Sequence, residues 1–243
     1  MTVTWEELGW ERLRSGVGRC RLPGWDCTVG LVRGEGAALL IDAGSSAGEG
    51  AALREGAERL AGGPVTHLAL THAHFDHVFG MAAFGEAEVF GAAGLAAALT
   101  GAEAREELRA DAVRHGLPEA DAARAAALLS GPTREITGER AVDLGGGTRV
   151  LLVNAGPGHT GCDLAVLVPG DPAVVFCGDL VEESGPPQAG PDAVPGRWAA
   201  ALDRLLALGG EDALYVPGHG AVVGAGFVRE QREALAERFG VSP

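Results

Sequence analysis

The sequence predicts an α/β (α+β) fold in which two β-sheets pack together with helices outside. Three observations predict it. Each half of the chain runs through short apolar strands into a helical stretch, the order expected of layered sheets flanked by helices. The apolar runs are short and end at glycine-rich turns, as strands do. Hydrophobic residues make up 47% of the 243, enough for a sizeable core in a chain of one-domain length. No linker or composition break divides the chain, so residues 1–243 read as one domain.

The elements follow in order. Residues 27–42 hold two apolar runs around an Arg-Gly-Glu-Gly turn, a β-hairpin that ends at Asp42. Residues 49–61 are rich in Ala, Leu, Glu and Arg and predict a helix stopped by Gly62-Gly63-Pro64. A short strand over 65–71 runs straight into His72-Ala73-His74-Phe75-Asp76-His77, and a helix is expected from Val78 to Phe84. Another short strand covers 88–90. Residues 102–129 are strong helix formers broken once at Gly116-Leu117-Pro118, which predicts a helical pair over 102–114 and 118–129. Strands are expected at 149–153, 164–168, 173–177 and 213–216, and helices at 196–208 and 224–239.

Composition excludes some functions. A net charge of −14 repels phosphate backbones and anionic membranes, so neither nucleic acid nor a membrane is an expected partner. The first residues carry neither a basic start nor an apolar run, and no apolar stretch is long enough to span a bilayer. The expected location is the cytoplasm. Cys20, Cys27, Cys162 and Cys177 form no CxxC pair and read as reduced, mostly buried thiols.

The histidines carry the chemistry. His72, His74 and His77 share one six-residue window with Asp76, between a strand and a helix. Imidazole and carboxylate are standard ligands for zinc and similar ions, and a catalytic ion needs three protein ligands and an open position. His72 and His74 lie two apart and can reach one ion from an extended segment. Asp76 and His77 come after the bend and can aim at a second point nearby. Each ion then lacks a ligand from elsewhere. Three residues in tight loops after apolar strands are candidates: His159 in Gly156-Pro157-Gly158-His159-Thr160-Gly161, Asp179 after Cys177-Gly178, and His219 in Pro217-Gly218-His219-Gly220.

This pattern resembles the metallo-β-lactamase superfamily, whose signature is HxHxDH followed by a His, an Asp and a His, each at a strand end. The resemblance extends over residues 27 to 220, and Asp42, before the first helix, matches a further recurring aspartate. It implies a four-layer αββα sandwich with the site at one edge and 102–129 as a helical insertion. It also implies the ligand sets: His72, His74 and His159 on the first metal, Asp76, His77 and His219 on the second, and Asp179 bridging them. Asp42 would orient ligands by hydrogen bonds. The implied activity is that of a zinc-dependent hydrolase, with two Zn²⁺ per chain and a metal-bound hydroxide that attacks an ester, thioester, lactone or amide. Asp76 would hold the hydroxide or receive a proton. A mononuclear-iron oxidoreductase like the persulfide dioxygenases, or a non-catalytic metal-binding relative, are the alternatives. The expected partner is a small-molecule substrate.

Departures narrow the list. The short segment after His219 speaks against the glutathione-binding helical domain of glyoxalase II-like thioesterases. Class B1 and B2 β-lactamases have a cysteine where Asp179 stands. Quorum-sensing lactonases have a tyrosine just after the bridging aspartate, whereas Tyr215 lies elsewhere. The nuclease branches carry basic surfaces that this chain lacks. His67 and His115 read as structural, and Cys177 and Cys162 as buried strand or loop residues. The proline-rich stretch 184–198 follows Asp179 and is expected near the metal mouth, either as part of the substrate wall with Trp198 or Asp192 facing in, or as a rigid loop with Trp198 in the core. The helical pair 102–129 reads either as a lid over the site or as a contact surface, which leaves a homodimer open.

Overall fold

The computed structural model describes residues 4–241. The chain opens with β1 (Glu11–Arg14), β2 (Val17–Arg21), β3 (Thr28–Arg33) and β4 (Ala38–Ile41). Then come α1 (Ala47–Ala61), β5 (His67–Ala69), α2 (Phe75–Val78), β6 (Glu88–Ala92), α3 (Leu95–Thr100), α4 (Ala102–Arg114), α5 (Glu119–Leu128) and β7 (Arg134–Ile136). The second half comprises β8 (Glu139–Gly145), β9 (Thr148–Asn154), β10 (Leu164–Val168), β11 (Val174–Glu182), α6 (Pro195–Gly209), β12 (Leu214–His219) and α7 (Ala225–Phe239).

Two mixed sheets result. One has seven strands in the order β1 to β7, the other five in the order β12-β11-β10-β9-β8. Strands β1 to β4 pair antiparallel through hairpins, whereas β4 to β7 pair parallel and need the helical crossovers between them. The apolar alternation of β9, β10 and β11 sorts their side chains by face. Val150, Leu152, Leu164, Val166, Val174 and Phe176 share a core with Val32, Leu39 and Ile41, which lie on the same face of the first sheet as Gly30. Ala165, Val175 and Cys177 turn the other way and pack on Trp198, Leu202 and Leu205 of α6 and Val228 and Leu235 of α7. On the outer side of the first sheet, Leu53, Ala57 and Leu60 of α1 close the layer. The order is helix, sheet, sheet, helix. Gly30 permits the close approach of the sheets, because a Cβ there would lie 2.5 Å from the Phe176 ring.

Several boundaries differ from the sequence expectation. The helix expected over 78–84 is instead the single turn α2, which already includes Asp76 and His77, followed by a 3-10 turn over Met81–Phe84. Gly80 separates the two because its Cα packs on Gly50, and a Cβ there would meet the Ala43 carbonyl at 2.0 Å. Strand β5 is shorter than the run 65–71. Strands β11 and β12 run further than their apolar cores, so Asp179 lies within β11 and His219 ends β12. Strands β1, β2, β7 and β8 and helix α3 gave no clear sequence signal, since several of them carry exposed charges in place of an apolar run. The helical pair forms as expected. Its Leu108, Ala112, Ala122, Ala125 and Ala126 join the main core, and α4 packs on α2. No described helix is long and apolar enough to cross a membrane.

Candidate metal centre

The loop after β5, the loop between β9 and β10, and the ends of β11 and β12 converge at one edge of the sandwich. There they bring His72, His74, Asp76, His77, His159, Asp179 and His219 together. Three groups of side chains could each hold a metal ion: His72, His74, His159 and Asp179; His77, Asp179 and His219; and Cys27, Asp76 and His77. All these side chains except His74 and His219 are buried.

Hydrogen bonds fix which nitrogen each ring turns inward. Asp42 accepts from the Thr71 backbone N–H at 2.8 Å, from the Thr71 hydroxyl at 2.8 Å and from His77 Nδ1 at 2.8 Å. The Thr71 hydroxyl has only one proton and gives it to Asp42. Toward His72 Nδ1, 2.9 Å away, it can therefore only accept, so that nitrogen carries hydrogen. His219 Nδ1 donates to the Trp25 carbonyl at 2.7 Å, and His159 Nδ1 to the Gln188 carbonyl at 3.1 Å. His74 is turned the other way and donates through Nε2 to Asp192 at 3.2 Å. The outward nitrogens are thus occupied, and Nε2 of His72, His77, His159 and His219 faces inward with Nδ1 of His74. Asp42 makes its three contacts from a left-handed backbone conformation, φ 64°, which is rare for a non-glycine residue and typical of strained functional positions.

The inward atoms lie at the spacing of ligands around one small ion. His159 Nε2 is 3.0 Å from His74 Nδ1 and 3.5 Å from Asp179 Oδ2. His72 Nε2 is 3.6 Å from Asp179 Oδ2. On the other side, His219 Nε2 lies 3.2 Å from Asp179 Oδ2 and 3.3 Å from Asp76 Oδ2, and His77 Nε2 lies 3.2 Å from Asp179 Oδ1. Ligands at 2.0–2.1 Å from a tetrahedral ion are separated by roughly 3.3 Å, so the donor set fits such ions. Two buried atoms confirm the fit: His72 Nε2 and Asp179 Oδ1 have no hydrogen-bond partner, a costly state for buried polar atoms.

The charges divide along the same line. Burial holds His72 well below the usual histidine pKa, and it lowers His159 to about 4, so both rings are neutral with free lone pairs. Burial also opposes protonation of His77 and His219, but acidic neighbours outweigh it. His77 is driven well above its usual value by the carboxylates of Asp179, Asp76 and Asp42, and His219 is raised to about 9, chiefly by Asp179. Burial works against the Asp179 carboxylate, yet the surrounding histidines hold it well below the usual range.

A family comparison bears on this arrangement. The family model of the metallo-beta-lactamase superfamily matches residues 22–219, most of the chain. The chain belongs to the metallo-β-lactamase superfamily. Solved metallo-β-lactamases share its fold. The enzyme from Pontibacter korlensis aligns with a TM-score of 0.71 at 19% identity, covering 93% of this chain and 97% of the other. FIM-1 from Pseudomonas aeruginosa, in its mono-zinc form, aligns with a TM-score of 0.69 at 20% identity over 96% of each chain. The protein from Hirschia baltica gives 0.66 at 17% identity, over 93% of this chain and 96% of the other. No curated protein matches the chain in sequence.

Other residues around this superfamily site were not singled out by sequence. Glu182 is buried at the end of β11, 3.8 Å from His159 Nδ1, and accepts from the Gln188 backbone N–H. Burial and the charge of Asp179 raise it to about 8. The signal was there: an acid directly after the apolar Leu180-Val181 pair that follows Asp179. The Trp25 and Gln188 carbonyls are backbone groups, which no residue type announces. Cys27 lies 3.4 Å from the Asp76 carbonyl, close to His77, and burial raises its pKa, so it stays a thiol. Of the loop candidates, Asp192 reaches the site, whereas Trp198 is wholly buried and donates to the Leu180 carbonyl with its ring edge toward His159. Cys177 lies in the outer core. His67 stacks on Phe90, and His115 stacks on Phe75, outside the three groups.

Proposed function

We propose that the chain is a zinc-dependent hydrolase with a two-ion centre, acting on an ester, thioester, lactone or amide of a small molecule. One observation carries this reading: the inward nitrogens and oxygens of five histidines and two aspartates converge at the spacing of metal ligands, and two of those atoms, His72 Nε2 and Asp179 Oδ1, are buried with no hydrogen-bond partner. Leaving buried polar atoms unpaired is costly, and a bound cation removes that cost. FIM-1, which shares the fold, has a mono-zinc form, and zinc is therefore the first ion to test.

His72, His74 and His159 would hold one ion, Asp76, His77 and His219 the other, and Asp179 would contact both. Bound zinc supplies Lewis acidity and makes water acidic enough to attack at neutral pH. Asp42 keeps His77 Nε2 aimed inward and, through Thr71, does the same for His72. Asp76 would receive the proton of the attacking water. The net charge of −14 favours a small-molecule substrate over nucleic acid or an anionic membrane.

The test is a panel of generic esters, thioesters and lactones offered to the zinc-loaded protein. The expected result is hydrolysis that His74→Ala and Asp179→Ala each abolish while the circular dichroism of the fold is kept. Hydrolysis by either variant at the wild-type rate would contradict the assignment.

A further inference from the structure

The five histidines do not rest on equal supports. His72, His77 and His219 lean on groups at the root of the fold: the Thr71 hydroxyl, the Asp42 carboxylate and the Trp25 carbonyl. His74 and His159 instead both lean on one loop, residues 183–194, between β11 and α6. The Gln188 carbonyl takes the proton of His159 Nδ1 at 3.1 Å, and Asp192 Oδ2 takes that of His74 Nε2 at 3.2 Å. The loop is tied down close to the same residues. Gln188 N–H donates to Glu182, Val194 N–H to the carbonyl of Gly158 beside His159, and Arg238 to the Pro187 carbonyl. The Asp192–His74 pair sits at the mouth, with side chains 46% and 24% exposed; the His74 ring packs edge-to-face with His72 and His159, and Asp192 is the partner of its outward nitrogen.

The geometry points to Asp192 as a positioning residue of the first metal site, whose carboxylate fixes His74 with Nδ1 inward and so ties that site's affinity to the loop 183–194. This rests on the two-ion reading above. A carboxylate behind a ligating imidazole fixes its tautomer and raises its basicity, and removing such a partner typically weakens metal binding 10- to 100-fold. In the second site the His77 and His219 rings lean on Asp42 and the Trp25 carbonyl, and the loop reaches only backbone there, through Glu183 N–H to the His219 carbonyl.

Metal-free full-length wild type, Asp192→Ala and Asp192→Asn would be titrated with Co²⁺ and Zn²⁺, following stoichiometry, affinity and the visible Co²⁺ bands. The wild type should take two ions. Asp192→Ala should keep one tight site, weaken the other by about 10- to 100-fold, and alter the bands that grow in with that ion. Asp192→Asn keeps an oxygen that can accept from His74 Nε2 and should recover most of the loss. Wild-type affinities and bands in Asp192→Ala would overturn the inference, as would equal weakening of both sites. A wild type that binds neither ion would instead overturn the two-ion reading itself.

Discussion

His219 faces Asp179 and Asp76 through Nε2 while its Nδ1 donates to the Trp25 carbonyl. Burial disfavours its charge, but Asp179 more than offsets that and raises the pKa to about 9. Free histidine titrates near 6.5, so this raised pKa stabilises the metal-free fold fully below that value, and the contribution is lost as pH rises through about 9. A metal needs the same Nε2 lone pair, so loading must expel the proton. Affinity at the site of Asp76, His77 and His219 should therefore fall as pH drops below about 9, close to tenfold per unit for each proton expelled. Zinc added to weakly buffered metal-free protein near neutral pH should release at least one proton per chain, read with a pH indicator; no release would contradict this picture. At this scale the sequence was legible where residue type and spacing speak together, as in His72, His74, Asp76 and His77. It was silent on supports supplied by backbone carbonyls, and it offered Asp192 only as a neighbour of the mouth, because a loop's path is set by tertiary contacts.

At the scale of elements, the parallel pair of β11 and β12 sets the position of the residue shared by both ion sets. Asp179 sits inside β11, and the strand beside it passes Gly218 so closely that a Cβ there would lie 1.7 Å from Asp179 Oδ1 and 2.9 Å from its backbone nitrogen. Gly218 thus leaves the space into which the carboxylate turns. Gly218→Ala should displace Asp179 and lower metal content and hydrolysis together, while the strands, paired through Val174 to Phe176 with Leu214 to Val216, stay in place. Metal analysis beside circular dichroism would check this, and full metal content in the variant would contradict it. The strands that the sequence revealed were those with continuous apolar runs, such as β4, β10 and the first half of β11. The extension of β11 to Glu182 was not visible because Gly178 and Asp179 interrupt its apolar run, and the charged edge strands β7 and β8 were not because most of their side chains are exposed and ladder hydrogen bonds hold them.

For the whole molecule, the two sheets contribute different halves of one centre. The first sheet brings His72, His74, Asp76 and His77 on the loop after β5, and the second brings His159, Asp179 and His219. The order of strands and helices made the layered fold readable, and the spaced histidines made its edge readable as a site. The helical pair α4 and α5 shows the limit of such reading: helix propensity marked its existence, but only the packed structure shows its alanines in the core and His115 stacked on Phe75, next to Asp76. The central claim is that this edge holds two ions, and metal content per chain tests it most directly. After reconstitution with zinc and removal of excess, the account predicts about two moles of zinc per mole of chain. Retention of none, or of a single iron in the protein as purified with no uptake of zinc, would contradict it.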